Sequence, residues 1–296
     1  MGETVKAPGT CGELVQGTLD GKNFLITCPV DLYSVAKVNR QQPDDAAGCK
    51  TRQAVTATLD YLGISEHRIQ VSISSQLPVG KGMASSSADI SAACQAVALH
   101  FNRMLTPDEI ADISLTIEPT DGIFYPGISM FDHVHGLIRK SLGMPPRLFI
   151  AVFDAGGEVD TLLFNSRQDL ARLNHAKESL VREAIQLVSR GITQQDGGLI
   201  GRGATLSAVA NQGILPKPCL DTFLEITPKF GAVGVNVAHS GTVMGVLFPE
   251  NNLAAIAPCV QAILDGCSDV TYLRTVRLIS GGLQIERRLP DETATY

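Results

Sequence analysis

The clearest regularity in the chain is RIQVSIS at 68–74, where Ile69, Val71 and Ile73 alternate with polar residues. A period of two predicts a half-buried strand. From Ser86 the period changes. Ile90, Cys94, Val97, Phe101 and Met104 recur at steps of three and four, which predicts one buried face of a helix. A strand therefore runs into a helix through LPVGKGMASSSAD, residues 77–89.

The same reading extends along the chain. Residues 24–38, FLITCPVDLYSVAKV, are rich in branched and aromatic residues and predict β structure interrupted at Pro29. Segment 53–62 predicts a helix ended by Gly63. At TPDE, 106–109, a capping threonine, a first-turn proline and a glutamate three residues on open a helix over 107–117. Pro119 and Gly122 in EPTDG stop it, and an irregular segment follows to Gly136. SLGMPPR, 141–147, has the composition of a linker.

RLFIAVFD then reads as an apolar strand, followed by helices near 168–190 and 194–212. AVGVNVA (232–238) and VMGVLF (243–248) predict two strands joined tightly, with Gly241 supplying a positive φ. A helix near 251–265 and a strand near 272–279 close the pattern. Strands and helices are mixed in both halves. The expectation is an α+β fold of two domains, 1–144 and 145–296.

Composition narrows the function classes. The 296 residues are 44% hydrophobic and 18% charged, as in an ordinary globular protein. The net charge is −6 and no basic run is longer than Arg287-Arg288, which argues against a nucleic-acid partner. Seven scattered cysteines without a C-x-x-C pair indicate neither a disulfide framework nor structural zinc, and fit a reducing compartment. The N-terminal segment lacks the apolar stretch of a signal peptide, and the longest apolar run, LFIAVF, is far short of the about 20 residues of a membrane span. A cytoplasmic protein with no membrane partner is expected.

Candidate chemistry begins at residues 77–89. A helix N-terminus presents unpaired N–H groups and a partial positive charge, so an anion such as phosphate is its natural ligand. Gly80 and Gly82 let backbone approach that anion, Lys81 adds charge, and Ser85, Ser86 and Ser87 offer hydroxyls to phosphate oxygens or Mg²⁺. Glu118 and Asp121 place two carboxylates at a helix C-terminus, where the dipole disfavours them. Beside a phosphate loop, one could hold Mg²⁺ and the other orient or deprotonate a hydroxyl. EPTD also fits a solvated turn. NVAHSGTVMG (236–245) and PGTCGELVQG (8–17) offer Ser240, Thr242, Glu13 and Gln16 to a ligand, or are ordinary turns. Asp132, His133 and His135 in FDHVHG suggest zinc, but no third ligand is well spaced.

Together these motifs resemble the GHMP kinase superfamily. Pro78 to Ala88, PVGKGMASSSA, is similar to its P-x-G-x-G-L-G-S-S-A motif, with Met83 for leucine, Ala84 for the third glycine and Ser87 for an alanine. Ala7-Pro8-Gly9 with Gly12-Glu13 resembles the first motif, although Thr10 stands where relatives often carry a cation. The turn Ala238 to Thr242 resembles the third. Within the superfamily, Pro8 to Gly17, Cys28 to Asp31, Lys81 to Ile90, Ile117 to Asp121 and Phe131 to His133 look like the L-threonine kinases of cobalamin biosynthesis.

The resemblance implies a ribosomal-protein-S5-like first domain, a ferredoxin-like second domain and a site between them. It implies transfer of the ATP γ-phosphoryl to the hydroxyl of L-threonine, with Mg²⁺. Residues Pro78, Val79, Gly80, Lys81, Gly82, Met83, Ala84, Ser85, Ser86 and Ser87 would hold ATP. Ser86 and Glu118 would hold the metal, and Asp121 would act on the hydroxyl. Glu13, Gln16, Asp31, Asp132, Ser240 and Thr242 would meet the substrate, Asp31 facing its ammonium. Lys6 or Lys81 would offset phosphate charge. The alternatives are a kinase of another small alcohol such as homoserine, a zinc-dependent hydrolase at Asp132, His133 and His135, and a nucleotide sensor without transfer.

Overall fold

A computed structural model describes residues 3–39, 48–65, 69–157 and 166–286; Arg68 and the Arg287-Arg288 pair lie outside them. The strands β1 (Thr4–Leu19), β2 (Lys22–Asn39), β3 (Gln70–Ser75), β4 (Ile128–Phe131), β5 (Arg139–Gly143), β6 (Leu148–Asp154), β7 (Gly234–Val237), β8 (Val243–Pro249), β9 (Thr271–Arg277) and β10 (Gln284–Glu286) form one sheet. Its order is β5-β4-β2-β1-β7-β8-β6-β9, with β3 on β2 and β10 on β1. Every described pairing is antiparallel.

The glycine-rich opening at 8–17 is not a turn but the middle of β1, buried on both faces. Double burial removes the alternation that would have marked it as a strand. The strand is bulged between Pro8 and Gly9, between Thr10 and Glu13, and between Glu13 and Val15. Bulges re-aim side chains, and Glu13, which flanks two of these shifts, lines a cavity. Pro29 does not interrupt β2. It lies opposite Thr10, where the register shifts, and its carbonyl accepts a hydrogen bond from Ile279 N at 2.9 Å.

Helices α1 (Cys49–Leu62), α2 (Ser85–His100) and α3 (Pro107–Leu115) cover the first half of the sheet. Gly63 ends α1 in the left-handed conformation, and Thr106 with Glu109 completes the capping box of α3. Periodicity predicts one buried face for α2, yet it is buried nearly all round, from Ser87 through Leu99. Alanines at 88, 92, 93, 96 and 98 let it sit that deep. Phe101 caps the helix, and Met104 lies beyond it, exposed.

In the second half, α4 (Leu170–Gln194) and α5 (Gly197–Ala210) pack on each other and on β1. Helices α6 (Leu220–Ile226) and α7 (Ile256–Gly266) cover a smaller core around Phe153, Phe223, Phe248 and Ile263. The larger core is continuous from α2 through β1 to α4. No described helix is long and apolar enough to cross a membrane.

Candidate active site

Residues 80–84 lie flat between β1 and the β7–β8 turn. Thr10 N donates to Met83 O at 3.1 Å, and Gly12 N to Gly82 O at 3.2 Å. From the other side Thr242 N and Val243 N both donate to Lys81 O, at 2.9 and 3.0 Å. The sandwich is too thin for side chains. A Cβ on Gly241 would stand 2.3 Å from Gly82 Cα, and one on Gly82 would stand 2.4 Å from Ala238 Cβ. Gly241 is therefore required by close approach, not by the positive φ that the hairpin pattern suggests, since it is absent from the left-handed residues.

The loop enters α2 through Gly80 (φ 73°), Gly82 (φ 83°) and Ala84 (φ 56°). Ala84 is the N-cap and supplies no side-chain hydrogen bond, so the serines cap nothing. Ser85, Ser86 and Ser87, whose first-turn N–H groups have no intrahelical partner, line a cavity of about 390 Å³. Its walls include residues 79–80 and 82–87, Glu13, Lys50, the EPTD segment, His133, His239 and Ser240.

The carboxylates converge on the serines. Ser86 Oγ donates to Glu118 Oε1, and Lys50 Nζ lies 2.5 Å from Glu118 Oε2. Asp121 N donates to Ser87 Oγ at 3.0 Å, and that hydroxyl approaches Asp121 Oδ2 at 3.5 Å. Burial, and then the Glu118 charge, push the Asp121 pKa up to about 6. Glu13, from the bulge of β1, is 5% exposed, and its Oε2 has no hydrogen-bond partner among the described residues. Burial, and then Asp121, hold its carboxyl well above the usual range. Three acids thus share one wall, and the site favours a cation.

Mg²⁺ fits that donor set. A serine hydroxyl and a carboxylate already meet at a helix N-terminus, and Mg²⁺ typically takes one or two carboxylates plus phosphate oxygens. Lys50, whose ammonium lies beside Glu118, marks the cation position. Sequence reasoning missed Lys50 because it sits in no motif.

Other expected residues fall elsewhere. Lys81 turns away from the cavity to Asp154 (2.9 Å) and Gly157 O (2.7 Å). With Pro78 it lines a smaller cavity of about 290 Å³ on the β6–β9 side. Lys6 pairs with Glu286. Asp31 is held by Arg277, through its backbone N at 2.7 Å and Nε at 2.8 Å, and does not line the main cavity. Thr242 Oγ1 donates to Asp154 Oδ1 at 2.6 Å. Asp132 is fully buried and structural: its carboxylate accepts from Val134 N, His135 N and Leu137 N at 3.0 to 3.2 Å. Gln16 stands behind the wall, with Oε1 3.2 Å from His239 Nδ1.

The zinc reading fails on the same geometry. His133 is buried and His135 exposed, and no group of three metal-ligating side chains is gathered among the described residues. His133 instead stacks edge-on against His239, 4.8 Å between centroids. Burial pulls the His133 pKa down to about 4, and burial, then His133, Lys177 and Lys217, pull His239 well down. Both rings are neutral at neutral pH.

Amides and hydroxyls for phosphate, a carboxylate for a metal and a raised carboxylate beside them suit phosphoryl transfer from ATP to a small molecule. The comparisons with known proteins make the class specific. The GHMP kinases N-terminal domain matches residues 50–126. Over 250 residues the chain is 34% identical to the L-threonine kinase of Salmonella typhimurium, covering 82% of this chain and 81% of that one. It is 32% identical to the L-threonine kinase of Citrobacter freundii, covering 83% and 86%. The homoserine kinase structure from Cytophaga hutchinsonii superposes with a TM-score of 0.69 at 16% identity, over 96% of this chain and 97% of that one. The chain belongs to the GHMP kinases and is an ATP-dependent small-molecule kinase.

Proposed function

We propose that this kinase transfers the γ-phosphoryl of ATP to the side-chain hydroxyl of L-threonine. The products are L-threonine O-3-phosphate and ADP, and the reaction serves cobalamin nucleotide-loop assembly in the cytoplasm. The observation that carries the reading is identity of about one third to two L-threonine kinases over more than four-fifths of the chain. The cavity is compatible with it, because the acidic wall at Glu13 and Asp121 suits the ammonium of an amino acid.

In this reading residues 79–80 and 82–87 bind the triphosphate through backbone amides and serine hydroxyls. Ser86 and Glu118 would hold Mg²⁺, which when bound would supply charge neutralisation at the phosphate oxygens. Lys50, freed from Glu118, takes the charge-offsetting role expected of Lys6 or Lys81. Asp121 accepts the hydroxyl proton as the threonine oxygen bonds to the γ-phosphorus and the bond to the β–γ bridging oxygen breaks. Glu13 and Ser240 face the acceptor, and the boundary between the halves falls near residue 144.

The test is ADP release with Mg²⁺ over a panel of threonine, serine, homoserine and mevalonate, repeated with the divalent ion chelated. Threonine-dependent release that is lost on chelation is expected. Equal or better turnover with homoserine would replace threonine as the acceptor.

A further inference from the structure

Two buried lysines lie near the cavity but outside its lining. Lys177, from α4, and Lys217, from the loop before α6, are 7% and 3% exposed. Lys177 Nζ donates to the neutral Asn211 Oδ1 at 2.7 Å, and Lys217 Nζ donates to the carbonyl of Gly241. Neither makes an ion pair among the described residues, and the Asp154 carboxylate acts on Lys217 only from a distance. Asn211 Nδ2, also buried, has no hydrogen-bond partner among the described residues. Burial pulls the two ammonium pKa values down, to about 7 and about 8.

Their position ties them to the cavity. Both charges act on His239, which forms part of its wall. Gly241, which Lys217 holds, follows the wall residue Ser240. The Lys177 stem runs beside Gly17, on the strand that carries Glu13 and Gln16. Gln212 pins Lys217 by a reciprocal pair, Lys217 N to Oε1 at 2.7 Å and Nε2 to Lys217 O at 3.1 Å. Two buried lysines and an amide N–H₂ held in a low-dielectric setting without an anion are costly, and an anion beside them would offset that cost.

We propose that Lys177 and Lys217, with the Asn211 amide, bind the carboxylate of the acceptor and thereby select an α-amino acid over a plain amino alcohol. This rests on the amino-acid kinase reading above. It divides recognition by charge: Glu13 and Asp121 face the ammonium end, and the lysines face the carboxylate end. A nucleotide phosphate is the other anion the cluster could meet, and kinetics separate the two.

The experiment compares threonine with threoninol, which keeps both hydroxyl and amine but lacks the carboxylate. In the wild type, kcat/KM for threonine should exceed that for threoninol at least tenfold. Lys177→Met and Lys217→Met should each raise KM for threonine at least tenfold, leave KM for ATP within about twofold, and reduce the threonine-to-threoninol ratio toward one. Lys→Arg at either position should keep more of the ratio than Lys→Met. A rise in KM for ATP with threonine unaffected would assign the cluster to the nucleotide and overturn the proposal. If the methionine variants fail to fold, the wild-type ratio decides, and a value near one overturns the proposal. Absence of any threonine-dependent turnover in the wild type would defeat the kinase reading itself, and this inference with it.

Discussion

Asp121 is a carboxylate that the fold holds against its own preference. Its pKa of about 6 lies above the ordinary 3.8, so the folded state binds the proton more tightly than the unfolded chain does. The linked stability is fully present below about pH 4 and is lost as pH rises through 6. At pH 8 the buried charge therefore works against folding. Asp121→Asn should raise stability at pH 8 by about 1–2 kcal/mol, less than the full shift because the cavity opens to solvent. At pH 4 it should gain little, and turnover at pH 8 should fall about 100-fold or more. Thermal unfolding at the two pH values checks the first part; an equal effect at both would refute the assignment. Ser86, Glu118 and Asp121, which the fold brings together, each stand in a local motif visible in the sequence. Asp31 and Asp132 could not be judged that way, since only the fold reveals the Arg277 partner and the three backbone N–H groups that occupy them.

At the scale of elements, the loop at 80–84 depends on what lies above and below it. Gly241→Ala would drive a methyl group into Gly82 Cα and the Lys81 carbonyl carbon, 2.3 and 2.4 Å away. Neither is a flexible side chain, so the loop must shift. We expect a loss of about 2–3 kcal/mol in stability and a KM for ATP raised about tenfold, measured by urea unfolding and initial rates. An unchanged KM would show that the loop does not hold the nucleotide. Ala84 makes the opposite prediction. Its left-handed φ costs an L residue about 1–2 kcal/mol, while glycine loses about 0.4–1 kcal/mol through greater unfolded-state freedom. Ala84→Gly should therefore be neutral or up to about 1.6 kcal/mol stabilising, and a loss above about 1 kcal/mol in urea unfolding would contradict the strain. The capping box of α3 and the alternation of β3 were legible because each is a local pattern. The strand β1 was not, because burial on both faces erases its period, and its glycines read as a turn.

Over the whole molecule, one antiparallel sheet carries the site across both halves of the chain. Strand β1 meets β2 on one side and β7 on the other, with Glu13 paired to Thr27 and to Val237. The loop at 80–84 comes from the first half and the turn packed against it from the second. An α+β class was readable from mixed elements, but long-range pairing carries no local signal, so that junction was visible only as a family resemblance. Lys50, His239 and the buried lysines come together only through this topology. The substrate assignment is tested most directly by phosphorus NMR of a reaction containing the enzyme, ATP, Mg²⁺ and L-threonine. The account predicts a phosphomonoester signal matching L-threonine O-3-phosphate, growing in step with ADP and absent without threonine. ADP formation with no such signal, or none that depends on threonine, would contradict it.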